Sequence, residues 1–265
     1  MFPLHTKTFP STADELANLL NESVRELFLV TADPVRLEEK AYPEFQSLHL
    51  SLDHAELRPN PPPPPAAQGE RSPALSLGEL RLDGSRLTIG PATVDLHLTA
   101  HDVRLDQGID AEGEIILLLQ SATDGEIEVS TATAELETAI AAVARREAAK
   151  HGVTIEDVSL AVRARGPRSV SGEVQLKARK LFFSTVIRIT ADLDLDQNLN
   201  AALSGLTCNG DGAIGSLACG FLSPHLQKLN GRSFPLLALP LGEIRLRDVR
   251  LSASDKITVK AEFGV

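Results

Sequence analysis

The phrase Asp-Val-x-Leu occurs three times, at Asp102–Leu105, Asp157–Leu160 and Asp248–Leu251, and each copy follows an apolar run of period two. Leu96 and Leu98 precede the first copy, Val153 and Ile155 the second, Ile244 and Leu246 the third. Alternation at period two describes a strand with one face on a core and one in water. At each copy the phase slips by one residue, at the polar pair before the valine. One extra residue turns the following side chains to the opposite face, so a β-bulge or sharp bend is predicted at each copy. Repeated bent, amphipathic strands predict a curved sheet wrapped around something.

A chain of 265 residues is long enough for one large or two modest domains. Hydrophobic residues make up 43% and mean hydropathy is −0.02, as in globular proteins. Aromatics are only 4%, without Trp, which argues against base-stacking platforms and aromatic sugar sites. The net charge of −10 disfavours a polyanion, so no nucleic-acid partner is expected. Cys208 and Cys219 fit neither a redox nor a zinc motif and read as small buried residues, with a bridge between them left open. Met1–Pro10 lacks a basic segment followed by an apolar run, and no apolar stretch is long enough to cross a membrane. A cytoplasmic protein is therefore expected, at most peripheral to a membrane.

Thr12 and Glu15 form a capping-box pattern before a helix over 12–30, with Leu16, Leu19, Leu20, Leu27 and Phe28 on one stripe. A strand is predicted at 45–57. Five consecutive prolines, Pro61–Pro65, follow within a loop over 58–73. This loop reads as an exposed insertion between strands whose deletion leaves the fold intact. The other reading is a ligand for a proline-recognising domain, but no basic residue tightly frames the prolines. Strands resume at 75–82, 86–89, 93–105, 114–119 and 126–129. The clearest helix covers 131–151, closed by Gly152. Strands near 153–164, 170–183 and 185–197 follow, then a helix over 212–230 interrupted by Pro224, then strands at 242–254 and 256–263. The strand connections look too short for parallel crossovers, which predicts antiparallel pairing. The order helix-then-strands occurs twice, and Leu77–Leu82 resembles Leu241–Leu246, hinting at a duplicated unit. Boundaries of 1–130 and 131–265 follow, two halves that can also form one continuous domain.

Candidate chemistry is sparse. Gly210-Asp211-Gly212-Ala213-Ile214-Gly215 is a literal G-x-G-x-x-G, but a dinucleotide fingerprint needs a βαβ unit around it. A tight strand-to-helix turn is the better reading. His97 and His101 would lie roughly 13 Å apart on a strand, too far to share a metal. Asp192, Asp194 and Asp196 alternate with Leu193 and Leu195, as on an acidic outer strand face. No nucleophile motif is present, so no catalytic residue, metal or cofactor is expected. The remaining feature is an alanine-rich helix facing long aliphatic strands. Such a surface either packs dry or leaves a groove for an acyl chain.

The segment from Ala134 onward resembles the TULIP (tubular lipid-binding) superfamily, and within it bacterial LmeA-like phospholipid-binding proteins. The helix Ala134–Ile140 leads into Val153–Val158, long alternating strands follow, then the glycine-rich turn, the broken helix Leu217–Leu229 and Phe234–Gly242. The resemblance implies an α+β fold with long helices packed against a strongly curved antiparallel sheet, in one or two similar units. It also implies non-enzymatic binding of a phospholipid or other long apolar ligand between helix and sheet, with transient membrane contact. The expected lining is Leu136, Ile140, Val143, Ala144, Leu160, Val162, Leu176, Phe183, Ile187, Ile189 and Phe221. The alternative is a structural or protein-interaction scaffold with a filled interior.

Overall fold

A computed structural model describes residues 2–150, 152–180, 183–236 and 245–265. The chain is mostly sheet, 59% strand against 19% helix, and this overturns the expected α+β fold of long helices on a curved antiparallel sheet. The helices α1 (Ala13–Leu27), α2 (Thr133–Ala149) and α3 (Gly212–Leu229) have 15, 17 and 18 residues. The longest strand has 22. Runs read as separate short strands are in fact continuous, because bulges interrupt the alternation without ending the strand.

The larger sheet is mixed. Its main path contains β3 (Val35–Ala41), β4 (Glu44–Ser51), β6 (Gln68–Ile89), β7 (Ala92–Ile109), β9 (Asp124–Ala132), β15 (Arg245–Ala253) and β16 (Lys256–Gly264), in the order β15-β16-β9-β7-β6-β4-β3. The short strands β1 (Phe2–Pro3), β2 (Phe28–Leu29) and β5 (Glu56–Leu57), with β8 (Ile115–Ser121), branch from this path. The smaller sheet is antiparallel: β10 (Thr154–Gly166), β11 (Ser169–Lys180), β12 (Phe183–Leu195), β13 (Asn200–Gly210) and β14 (Ser233–Pro235) lie in sequence order.

All three Asp-Val-x-Leu copies mark irregularities. Register shifts fall between Ile155 and Asp157 in β10 and between Leu246 and Asp248 in β15. In β7, Asp102 has a φ of 49°, and there the strand changes partner from β9 to β8.

One expectation about pairing fails. β4 and β5 run parallel to β6. The proline segment is the crossover that allows this, because it carries the chain back to the start of β6. Glu56 pairs with Thr88 near the end of β6, and Gln68 pairs with Ile109 at its start. The dozen Cα steps from Glu56 to Gln68 reach about 43 Å at most. A straight strand from Gln68 to Thr88 would run about 66 Å. Even with one strand spacing of about 5 Å added, the chain falls short, so β6 bends. Register shifts at Gln68/Ser72, Pro73/Leu75 and Gly84/Leu87 supply that bend. The segment is therefore a strap of demanding length, and its expected dispensability is corrected.

What the large sheet encloses is α1. Thr12 Oγ1 accepts from the Glu15 amide at 3.2 Å, while the Glu15 carboxylate takes the Ser11 amide at 2.8 Å. The cap places Leu16, Leu20 and Val24 against Phe45, Leu48, Leu50, Leu77, Val103 and Leu117. Leu16 and Val103 are 0% exposed, so this core is dry. The two sheets meet where Leu195, Leu199, Val249, Leu251 and Ala261 cluster, beside a 2.5 Å Arg168–Asp248 ion pair.

Candidate functional site

The smaller sheet presents one apolar face whose rows follow from its register. Val158, Leu176 and Ile187 form one row across β10, β11 and β12, and Leu160, Val174, Ile189 and Cys208 form the next, reaching β13. Val162, opposite Gly172, begins a third row. Leu160, Val162, Leu176, Ile187 and Ile189 thus share a face, as their period-two spacing requires. Ile187 is buried and the other four are half-buried.

Two helices lie on this face. α2 rests on β10, and α3 rests on β13 and the adjoining part of β12. Among the described residues the helices have at most marginal contact with each other. Val174, Leu176 and Ile189, half-buried, lie on this face and pack against the cluster of Ala141, Ile155, Val158, Ala178, Ile187 and Cys219.

The structure places the predicted lining unevenly. Ile140 and Ala144 of α2 pack into the cluster built on Ala141, Ile155, Val158, Ala178, Ile187 and Cys219. Leu136 is half-buried, near the start of α2. Val143 points away from the core at 42% exposure, and Phe183 is 61% exposed at the start of β12. The side chain of Phe221 lies outside the described residues, as do Leu181, Phe182 and the segment 237–244.

Sequence reasoning gave no specific signal for what holds α3 in place. Cys208 on β13 and Cys219 on α3 are joined by a disulfide. Their separation of 11 residues matches no motif, and only the pairing of a strand end with a helix face brings them together. The glycine-rich turn belongs to the same device. Gly212, with a φ of 67°, turns the chain from β13 into α3. A Cβ on Gly215 would meet Thr185 Oγ1 at 2.5 Å and the Gly210 carbonyl carbon at 2.6 Å. The glycines thus permit close approach of helix and strand within an antiparallel sheet.

A polar region occupies the solvent face of the larger sheet. Asp83 accepts from His49 Nε2 at 3.0 Å, His97 Nδ1 at 2.9 Å and Arg81 Nε at 2.6 Å. Burial pushes its carboxyl up, but the His97 and Arg81 hydrogen bonds, the Arg81 charge and the His49 bond together hold it down at about 2. His101, bonded to Asp124 at 2.7 Å, is shifted upward by that bond. An open cleft of about 440 Å³ beside these groups is lined by His97, Thr99, His101, Glu126, Arg247 and Glu262, among others. On the smaller sheet, Asp194 is paired with Arg165 at 2.9 and 3.0 Å. Asp196 accepts the Asn198 and Asn200 amides in a turn. Among the described residues no group of three or more His, Cys, Asp or Glu is arranged to hold a metal ion. No described helix is long and apolar enough to cross a membrane.

No family model, curated protein or solved structure matches this chain.

Proposed function

We propose that a furrow on the smaller sheet between α2 and α3 binds a long apolar chain, of the kind a phospholipid or fatty acid carries, without catalysis. The observation that carries this reading is the half-buried aliphatic group of Val174, Leu176 and Ile189 on the helix-bearing face of a sheet whose helices and strands also carry large exposed apolar side chains. Val143, Phe183 and Leu217 are 42%, 61% and 65% exposed. α3 adds support. From Gly212 to Leu229 its one Lys or Arg is Lys228, yet Ala213, Leu217, Gly220 and Leu229 face solvent. Ser216, Gln227 and Lys228 are exposed as well, so the helix shows water a surface with few charges and several apolar side chains. Transient contact of this helix with a membrane surface fits the same reading. The interior of the large sheet is filled by α1, and the cleft on its other face is lined mainly by polar and charged side chains. The Cys208–Cys219 bridge favours an oxidising compartment over the cytoplasm.

Burial of a chain gains about 0.8 kcal/mol per methylene before ordering costs are subtracted. Half of a long acyl chain in the furrow is enough for useful binding. The test is titration with a fluorescent fatty acid, using Ala144→Trp to fill the furrow and circular dichroism to verify folding. The variant should bind at least about tenfold more weakly, a loss of about 1.4 kcal/mol. Equal binding by both proteins, or by neither, leaves the scaffold reading, in which the smaller sheet packs on a protein partner.

A further inference from the structure

We infer that the end of the smaller sheet farthest from the larger one docks, helix side down, on an anionic lipid surface. This deepens the proposed function by naming the surface from which its ligand is taken, and its test reads a different signal.

The two sheets join at the β10–β11 turn and the end of β12. There the Leu251 amide donates to the Pro167 carbonyl at 2.7 Å, and Leu195 packs with Val249 and Leu251. Chain direction gathers at the opposite end the close of α2, the start of β10, the hairpin from β11 to β12 and the start of α3. The Thr185 hydroxyl donates to the Asp211 carbonyl at 2.7 Å and ties the start of α3 to β12.

Register decides which way the side chains point at this end. Lys180 pairs with Phe183. By period two they share the side of Leu176, Ala178 and Ile187, the side that carries the helices. Phe183 is exposed there, as are Val143 on α2 and Leu217 near the start of α3. Arg146, Lys150 and Lys180 are exposed on the same side of the molecule, with Glu147 paired to Lys150 at 2.7 Å. On the other side of the sheet Lys177 and Arg179 extend the basic rim, where Arg179 meets Glu156 at 3.1 Å and Lys177 pairs in register with Asp157. Exposed apolar side chains set among Lys and Arg suit a lipid interface. The apolar groups enter the acyl boundary and the cations meet headgroup charge.

Charge selects an anionic surface in spite of the chain's net −10. Residues 1–132, which build α1 and most of the larger sheet, hold 22 Asp and Glu against nine Lys and Arg. The twelve residues of β11 put the junction with that sheet roughly 35–40 Å from the basic end. That is about four Debye lengths at physiological salt, so the local excess of cations governs the approach.

The test is co-flotation with vesicles of phosphatidylcholine alone or with about one-third phosphatidylglycerol, at about 0.1 M salt. The protein should bind the anionic vesicles at least about tenfold more tightly than the neutral ones. A basic residue near such a surface is worth about fivefold in affinity. Lys150→Gln with Lys180→Gln should therefore weaken binding about tenfold or more, and Phe183→Ser about threefold or more. Arg36→Gln with Arg71→Gln, exposed positions on the larger sheet, should change it by less than about twofold. Thermal melts establish that each variant is folded. The Lys150/Lys180 variant should bind the fluorescent fatty acid as the parent protein does, whereas Ala144→Trp should lose the fatty acid and keep the vesicles, so the two readings fail separately. Equal binding to both kinds of vesicle, no binding at about 1 mM lipid, or equal losses from the Lys150/Lys180 and Arg36/Arg71 pairs would each overturn the assignment.

Discussion

Asp83 concentrates the polar chemistry of the larger sheet, with two imidazoles and a guanidinium on one carboxylate. Its folded value of about 2 lies below the ordinary 3.8. The stability it contributes is therefore complete above pH 4 and is lost as pH falls from about 4 to about 2. Asp83→Asn should lower stability by about 1–2 kcal/mol at pH 7, after allowance for solvent screening, with the difference closing toward pH 2. Urea denaturation of both proteins across that range checks it, and a pH-independent difference would point to lost packing instead. His101 has the opposite sign: its pairing with Asp124 helps fully below pH 6.5 and fades as pH rises through its raised value. At Gly215, alanine forces backbone and Thr185 apart. Gly215→Ala should cost about 2 kcal/mol or more in thermal or urea unfolding, because the close atoms include backbone. At this scale the sequence was most legible where chemistry is local. Thr12 and Glu15 announce their cap through spacing alone, whereas the partners of Asp83 come from three different strands.

Among the elements, the strap carries the sharpest consequence. Deleting Asn60–Gln68 leaves too few residues to return from Glu56 to the start of β6, so the parallel pairing of β4 with β6 should be lost. The expected result is a large fall in melting temperature or an unfolded circular dichroism spectrum. An equal-length Ala/Ser replacement should instead fold with a modest loss. The disulfide makes a second element-scale claim. Replacing both Cys208 and Cys219 by Ala should lower stability by about 3 kcal/mol, judged from the short loop closed. Thiol titration of the unfolded, unreduced protein should find no free thiol, and two reactive thiols would refute the bridge. β3 escaped the sequence reading because Glu38, Glu39 and Lys40 obscure its alternation, as edge strands tolerate charge. β13 escaped because small residues such as Ala201, Ala202 and Gly205 weaken its apolar pattern. α2 was read within two residues at either end, since its alanines and flanking Gly152 are local signals.

Across the whole molecule, bends were legible and their consequence was not. Phase slips locate the bulges at Glu156 and Arg247, yet nothing local says which helix a bent sheet encloses. That depends on the return path through the strap and on pairing between strands far apart in sequence, such as β9 with β16. The outcome is two sheets with different interiors: one filled by α1, the other carrying α2 and α3 on one face. The proposed function requires the face between those helices to accept an acyl chain. The most direct measurement is photocrosslinking with a fatty acid bearing a diazirine midway along its chain, followed by peptide mapping. Adducts should concentrate on α2 around Ile140–Ala144 and on the strands around Val174–Leu176 and Ile187–Ile189. They should disappear with excess unlabelled fatty acid. Adducts confined to the larger sheet, or labelling that no competitor displaces, would contradict the central claim.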